Sequence, residues 1–307
     1  MTTTHGLVLR ARSGFYTIRT DDGDLIESRL RGRMKRERQS SDLAVIGDRV
    51  EVERLPDGTG AIASVEERRT RFSRRQPGPR GSWREDVMVA NPDLVAVVFA
   101  VDRPPPNPRL VDRFLVVAEY SEVPVMLVAN KVDLGPDAAR AAFGPYERIG
   151  YDVLYTAAKA GIGIEELRGR LAGRLSIVTG PSGVGKSTLL NALQPGLQLA
   201  TGEVSSAEEG KGKHTTTHAE LLPLEGPEGG YVADTPGIRE LGLWEIPQTE
   251  LAWCFPEFRD HLGACAFNDC SHLHEPRCGL RTAVGSGQVS EERYDSYRRM
   301  LTGDLAG

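Results

Sequence analysis

Apolar positions along the chain show two textures that meet near residue 89. Upstream, short stretches alternate apolar and polar residues, the period of two that sets one strand face against a core. The alternation predicts strands over residues 6–11, 14–20, 25–35, 49–54 and 61–66, with a turn at Asp22-Gly23-Asp24. Five short strands separated by turns suit a small closed barrel of the OB-fold type. Downstream, the apolar runs become continuous over 94–101, 123–129, 153–158, 175–179 and 231–233. Each is bounded by Gly, Pro or Asp, and helical stretches such as 109–120 and 164–171 lie between them. Strands covered on both faces look like this, and their alternation with helices predicts a parallel α/β sheet. A last helix is expected from about Ser290, with Tyr294, Tyr297 and Leu301 on one face.

Two segments lack either period. Residues 74–84 (RRQPGPRGSWR) are rich in Pro, Gly and Arg and are expected to form a linker or loop. Residues 265–278 hold a Cys/His cluster. The expected division is a barrel over 1–70, a basic linker over 71–88, an α/β domain over 89–243 and a mainly helical module over 244–307.

Composition narrows the class. The longest apolar run, 94–101, is far short of the ~20 residues that span a bilayer. The N-terminus lacks the pattern of a secretory signal, so a cytoplasmic protein without a membrane partner is expected. Four unevenly spaced cysteines do not form a disulfide framework. Net charge is −5, yet the segment 1–75 carries a basic excess and the remainder an acidic one. A basic front end on an acidic body suggests that the front meets a polyanion.

The chemistry is concentrated at the ends of the continuous apolar runs. Gly180-Pro181-Ser182-Gly183-Val184-Gly185-Lys186-Ser187-Thr188 follows one run and opens a helical stretch. Glycines there let backbone N–H groups converge on phosphate oxygens. Lys186 would neutralise the β- and γ-phosphates, and Ser187 would ligate Mg²⁺. Asn130-Lys131-Val132-Asp133 ends another run. Asp133 can accept two hydrogen bonds from the N1–H and 2-amino group of guanine, which adenine cannot supply, and the Lys131 stem can lie along the purine. Thr156-Ala157-Ala158 ends a third run and fits a loop that donates a backbone N–H to the guanine carbonyl. Asp234-Thr235-Pro236-Gly237 ends a fourth; Asp234 would hold Mg²⁺ through water and the Gly237 N–H would meet the γ-phosphate. Between them lies the polar segment 210–217, GKGKHTTT. A threonine there can complete the Mg²⁺ shell; Thr216 is preferred, with Thr215 and Thr217 as alternatives. The residue after the Asp234–Gly237 element is Ile238, which cannot orient water as a glutamine there would. His214 is therefore the candidate catalytic group, together with Lys186 and Thr216.

Four ligand-type residues, Cys265, Cys270, His272 and Cys278, lie close together in the chain and suit a closed structural Zn²⁺ site. His274 is an alternative to His272, and Cys254, beside Trp253 and Phe255, is expected to pack. In an extended strand Arg29, Arg31, Arg33 and Lys35 would share one face, extended by Arg36 and Arg38. Together with Arg74, Arg75, Arg80 and Arg84 they suggest an RNA surface that works through phosphate and shape contacts.

The base-reading motif, from Asn130, precedes the phosphate loop, from Gly180, the reverse of the usual order. With that order, the barrel-like front and the Cys/His finger, the chain resembles the ribosome small-subunit-dependent GTPase A family, bacterial circularly permuted GTPases. The resemblance implies three parts: an OB-fold barrel, a permuted P-loop GTPase domain and a mainly α zinc-binding domain. It implies one structural Zn²⁺, Mg²⁺ with GTP, and a late role in maturation of the small ribosomal subunit. It also implies that barrel and zinc module bind ribosomal RNA, that the subunit stimulates hydrolysis, and that His214 is catalytic. The chain departs from the family in Ala157, where a serine is frequent. A monomer is expected. A second reading is a GTP-gated RNA-binding module with incidental turnover. The permutation further suggests that γ-phosphate contact at Gly237 is relayed directly into the zinc module that follows.

Overall fold

The computed structural model describes residues 2–31, 44–77, 83–197, 219–234 and 246–304. The N-terminal strands are β1 (Thr3–Arg12), β2 (Phe15–Thr20), β3 (Leu25–Leu30), β4 (Arg49–Arg54) and β5 (Gly60–Val65). β1, β2 and β3 form an antiparallel meander, β3 runs parallel to β5, and β5 pairs with β4. β4 then pairs with β1, which closes a five-stranded barrel of the OB type. Alternation does what the sequence suggested: Tyr16, Ile18, Leu30, Val50, Val52 and Ile62 point inward, while Phe15, Arg19, Glu27 and Arg29 face out. β3 stops at Leu30, short of the expected residue 35. Its pairing with β5 runs only from Ser28 opposite Gly60 to Leu30 opposite Ile62. Arg29 is exposed over the Phe15 ring, 4.1 Å from its centroid, and Arg31 pairs with Glu53. Arg33, Lys35, Arg36, Arg38 and Arg80 lie outside the described residues.

The segment expected to be a basic linker is instead a β-hairpin. β6 (Arg71–Pro77) pairs antiparallel with β7 (Trp83–Ala90). Phe72, Val87 and Val89 are buried, so a period of two was present but sparse. The register also sets Arg74 opposite Asp86 and Arg75 opposite Glu85. Glu85 itself pairs with Arg71 at 2.8 Å.

β8 (Leu94–Ala100), β9 (Val125–Asn130), β10 (Asp152–Tyr155), β11 (Leu175–Thr179) and β13 (Tyr231–Asp234) form a parallel sheet. A strand without an expectation, β12 (Ala219–Pro223), runs antiparallel to β13. The order is β10-β9-β8-β11-β13-β12, so the middle of the sheet belongs to β8 and β11. All seven residues of β8 are buried, because helices cover both faces. Val95, Val97 and Phe99 pack under α1 (Pro108–Tyr120) and α2 (Pro136–Arg148). Leu94, Ala96, Val98 and Ala100 pack under α3 (Ile164–Leu171) and α4 (Lys186–Leu193). α1 starts where it does because the Asn107 side chain accepts from the Arg109 N–H and Pro108 fits the first turn.

β12 also pairs with β1 of the barrel, so barrel and nucleotide domain share one 11-stranded sheet. The C-terminal part comprises short turns over residues 248–262, α5 (Gly279–Gly285) and α6 (Glu291–Thr302), which the Ser290 side chain caps. Phe255 and Phe258 stack at 4.6 Å and meet the Tyr297 ring edge-on, all three fully buried in the core that includes α1. No helix of the described residues is long and apolar enough to cross a membrane.

Candidate functional site

The motif loops lie at the carboxyl ends of neighbouring strands, where open α/β sheets bind ligands. β11 leads into Gly180, whose φ is +142°. A Cβ there would sit 2.1 Å from the carbonyl oxygen of Val98 on the neighbouring strand β8, so this close approach at the end of β11 requires glycine. Gly185, at φ +96°, begins α4, and a Cβ on it would meet Asn130 Nδ2 at 2.5 Å. Lys186 Nζ donates to the Gly180 and Pro181 carbonyls, both at 2.7 Å, which holds its ammonium across the loop. Ser182 is exposed, Val184 is buried beneath the loop, and Ser187 and Thr188 are half-buried in the first turn of α4.

Asn130, almost fully buried at the end of β9, locks three loops together. Its Nδ2 donates to the Val184 carbonyl at 2.8 Å, and its Oδ1 accepts from Thr156 Oγ1 at 3.2 Å. Lys131 adopts φ +63° and donates from Nζ to the Gly183 carbonyl at 2.8 Å and to the Arg103 carbonyl. Burial lowers its pKa, against the opposing attraction of Asp102. Val132 N–H donates to the Thr156 carbonyl at 3.1 Å, which ties the base-reading turn to the next loop. Asp133 is exposed at that turn. Thr156 and Ala157 are buried and Ala158 half-buried; paired bonds between Ala157 and Ile162 close their loop. The sequence placed these motifs near one another; the side-chain role of Asn130 as their clasp carried no local signal.

Asp234 is the last residue of β13, next to β11 and opposite Glu220 of β12, and its side chain is outside the description. Gly237 and Ile238, and the 210–217 segment with His214, Thr215, Thr216 and Thr217, also lie outside the described residues.

Cys265, Cys270, His272 and Cys278 bring their ligand atoms within 4.8 Å of one another. His272 Nδ1 is 3.4 Å from both the Cys265 and Cys278 sulfurs, which are 3.9 Å apart. Those separations match the edges of a tetrahedron with Zn–S of about 2.3 Å and Zn–N of about 2.0 Å, so the donor set fits Zn²⁺. Burial pushes the Cys270 thiol up to about 12 and lowers the His272 pKa. The first opposes metal-free ionisation, which a bound cation reverses; the second favours the neutral imidazole a metal needs. His274 is exposed and outside the cluster, and Cys254 is buried beside Phe255. Backbone N–H groups of Gly279 and Arg281 donate to the Cys265 and Cys278 sulfurs, at 3.3 and 3.5 Å. The Tyr294 and Tyr297 hydroxyls hold the carbonyls of His272 and Ser271. The sequence pointed to these tyrosines only as an apolar face.

A charged junction without any sequence signal joins this module to the nucleotide domain. Buried Arg293 of α6 donates to Asp112 of α1 at 2.7 Å and to both oxygens of Glu257, at 2.6 and 3.1 Å. Tyr146 of α2 donates to the same Asp112 at 2.9 Å. Burial alone would weaken the Arg293 charge, but Asp112 and Glu257 outweigh it and raise its pKa.

With the base-reading loop ahead of the phosphate loop in the chain yet bonded to it in space, the fold is that of a circularly permuted P-loop GTPase. The RsgA N-terminal domain profile matches residues 5–62 and the RsgA GTPase profile residues 65–244. A Gemmatimonas aurantiaca protein, "Small ribosomal subunit biogenesis GTPase RsgA", is 45% identical over 97% of both chains. A Moorella thermoacetica protein of the same name is 42% identical over 98% of this chain and 97% of its own. The crystal structure of YjeQ from Thermotoga maritima superposes with a TM-score of 0.79 at 35% identity, covering 100% of both chains. That of YloQ, described as a circularly permuted GTPase, gives 0.76 at 29% identity, covering 100% of this chain and 97% of its own. The chain belongs to the RsgA GTPase family.

Proposed function

We propose that this chain hydrolyses GTP while bound to the small ribosomal subunit, late in that particle's maturation, and that the subunit stimulates its turnover. The observation that carries the reading is the Asn130 clasp, which bonds the strand end that carries the base-reading turn, with Asp133 exposed on it, to the glycine-built phosphate loop and to Thr156. Asp133 selects guanine through N1–H and the 2-amino group, a backbone N–H of the Thr156-Ala157-Ala158 loop meets the guanine carbonyl, and Lys186 turns from its own loop carbonyls to the β- and γ-phosphates. Ser187, Asp234 and Thr216 would hold Mg²⁺, which supplies neutralisation of the charge that develops on the phosphates. Gly237 N–H contacts the γ-phosphate, and His214 orients the attacking water in place of Ile238. Cys265, Cys270, His272 and Cys278 hold a structural Zn²⁺. The barrel, through Arg29 and the arginines beyond it, and the zinc module contact ribosomal RNA. The protein works in the cytoplasm, away from membranes, as a monomer; all the nucleotide contacts proposed come from one chain.

The test is GTP turnover with and without purified small subunits, repeated for His214→Ala and Asp133→Asn. Stimulation that is lost in His214→Ala, and guanine selectivity that is lost in Asp133→Asn, are expected. Tight GTP-dependent binding to subunits with no stimulation would replace this reading with that of a GTP-gated RNA-binding module.

A further inference from the structure

The phosphate side of the sheet has a main-chain connection to the barrel. β12 pairs with β13 on one edge, where Glu220 stands opposite Asp234. On its other edge it pairs with β1, where Arg10 stands opposite Glu220 and Ala11 opposite Ala219. Across this seam Arg10 Nε donates to Glu220 Oε1 at 2.5 Å, and Arg19 Nη1 reaches the Tyr231 hydroxyl of β13 at 3.5 Å. β12 opens at Ala219, just after the threonine run that ends at Thr217. In the chain the strand therefore lies between two positions proposed above to hold Mg²⁺, the threonine run and Asp234, the second of which leads to Gly237, proposed for the γ-phosphate.

The other attachments sit elsewhere. The barrel is held a second time where Ala90 N–H donates to the Ile46 carbonyl and Asn91 Nδ2 to the Gly47 carbonyl, at 2.9 and 3.0 Å, on the chain entering β8. The C-terminal module holds to α1, through Arg293 to Asp112, Arg259 to Glu119 and Asp295 to Arg109. α1 follows β8 and precedes β9, the base-reading strand.

We propose that the barrel is the output of the nucleotide switch, with β12 relaying the γ-phosphate state into β1 and Arg10–Glu220 acting as the positioning pair. A strand bonded on both edges cannot shift against one neighbour without straining its ladder with the other. β12 is thus an element whose position both the phosphate site and the barrel can bias, which is the physical requirement for coupling. Because Ile46 and Gly47 remain anchored on Ala90 and Asn91, the change appears as altered hydrogen bonding of β1, with the barrel pivoting at that anchor. The C-terminal module, fixed to α1, stays with the base-reading half. This reverses the relay into the zinc module that the chain order suggested, and it rests on the GTPase reading above.

The test is amide hydrogen exchange of the full chain with a non-hydrolysable GTP analogue and with GDP, alongside titration of a fluorescent guanine nucleotide. Slower exchange at residues 6–12 and 219–223 in the analogue state, with 291–302 unchanged, is expected. Glu220→Arg should shrink the β1 difference several-fold, and adding Arg10→Glu to it should restore the difference. Equal β1 exchange in both states, despite tight nucleotide binding, overturns the relay alone. Failure of the double exchange to restore the difference overturns the role of the pair, including the case in which Arg10 acts by touching RNA. Failure of the full chain to bind guanine nucleotide overturns the GTPase reading and the relay with it.

Discussion

The two appendages of the nucleotide domain are attached by opposite physics. The barrel joins by strand addition: β1 extends the sheet through β12, and the only ion pair at the seam, among the described residues, is the exposed Arg10–Glu220. The C-terminal module joins by side chains: Arg293, Asp112 and Glu257 are all buried, and Phe255, Phe258 and Tyr297 pack beside them. An exposed ion pair contributes about 0–1 kcal/mol, whereas breaking a buried one by removing a single partner costs about 3–5 kcal/mol. A seam of two paired positions with one exposed ion pair yields at little cost, whereas a buried triad either holds or fails. The first attachment suits a joint that responds to a nucleotide, the second a mount that keeps its position.

The largest test of this contrast is removal of the Zn²⁺ proposed for the Cys265, Cys270, His272 and Cys278 cluster. Structural Zn²⁺ supplies about 10–16 kcal/mol of apparent binding energy in small modules. Chelation, or Cys278→Ser, should abolish zinc content and make residues 246–304 protease-sensitive while the barrel and sheet stay protected. Limited proteolysis with metal analysis checks this, and a module that stays intact without metal would break the contrast. Next is Arg293→Met, which leaves Asp112 and Glu257 buried without their cation. Urea unfolding should show a loss of about 3–5 kcal/mol, confined to the C-terminal part. Adding Asp112→Asn and Glu257→Gln should recover much of that loss.

Gly47→Ala tests the barrel's second anchor. At φ +86° its Cβ would lie 2.0 Å from the Ala90 carbonyl oxygen, so strain of at least about 1–3 kcal/mol is expected, read as a lower Tm with barrel amides exchanging faster. The smallest expected effect is that of Glu220→Ala, at most about 1 kcal/mol of stability. Its value lies in separation: the fold should be nearly unchanged while nucleotide-dependent exchange at β1 falls. A large stability loss there would mean that the seam is structural mortar and not a joint.

Much of this molecule was legible because it is encoded locally. The alternation that predicts the barrel strands, the apolar runs of β8 and β11, and the Ser290 cap of α6 all depend on neighbours a few residues apart. The hairpin of β6 and β7 was not legible, because its few apolar positions come together only across the ladder, as Phe72 does opposite Val89. β12 was missed for a related reason. It is a short strand whose stability comes from two neighbours, one of them in another part of the chain.

By itself the sequence determined the chemistry of each loop: glycines where the backbone needs positive φ or close approach, and four metal-type ligands clustered between Cys265 and Cys278. It also set the permuted order of the motifs. Only the tertiary structure decided what each loop is joined to. Asn130 meets Val184 across 54 residues, Arg293 meets Asp112 across 181, and Arg10 meets Glu220 across 210. Such pairs leave no trace in local pattern, because hydrogen bonds and ion pairs at these separations form only after burial has brought their strands and helices together.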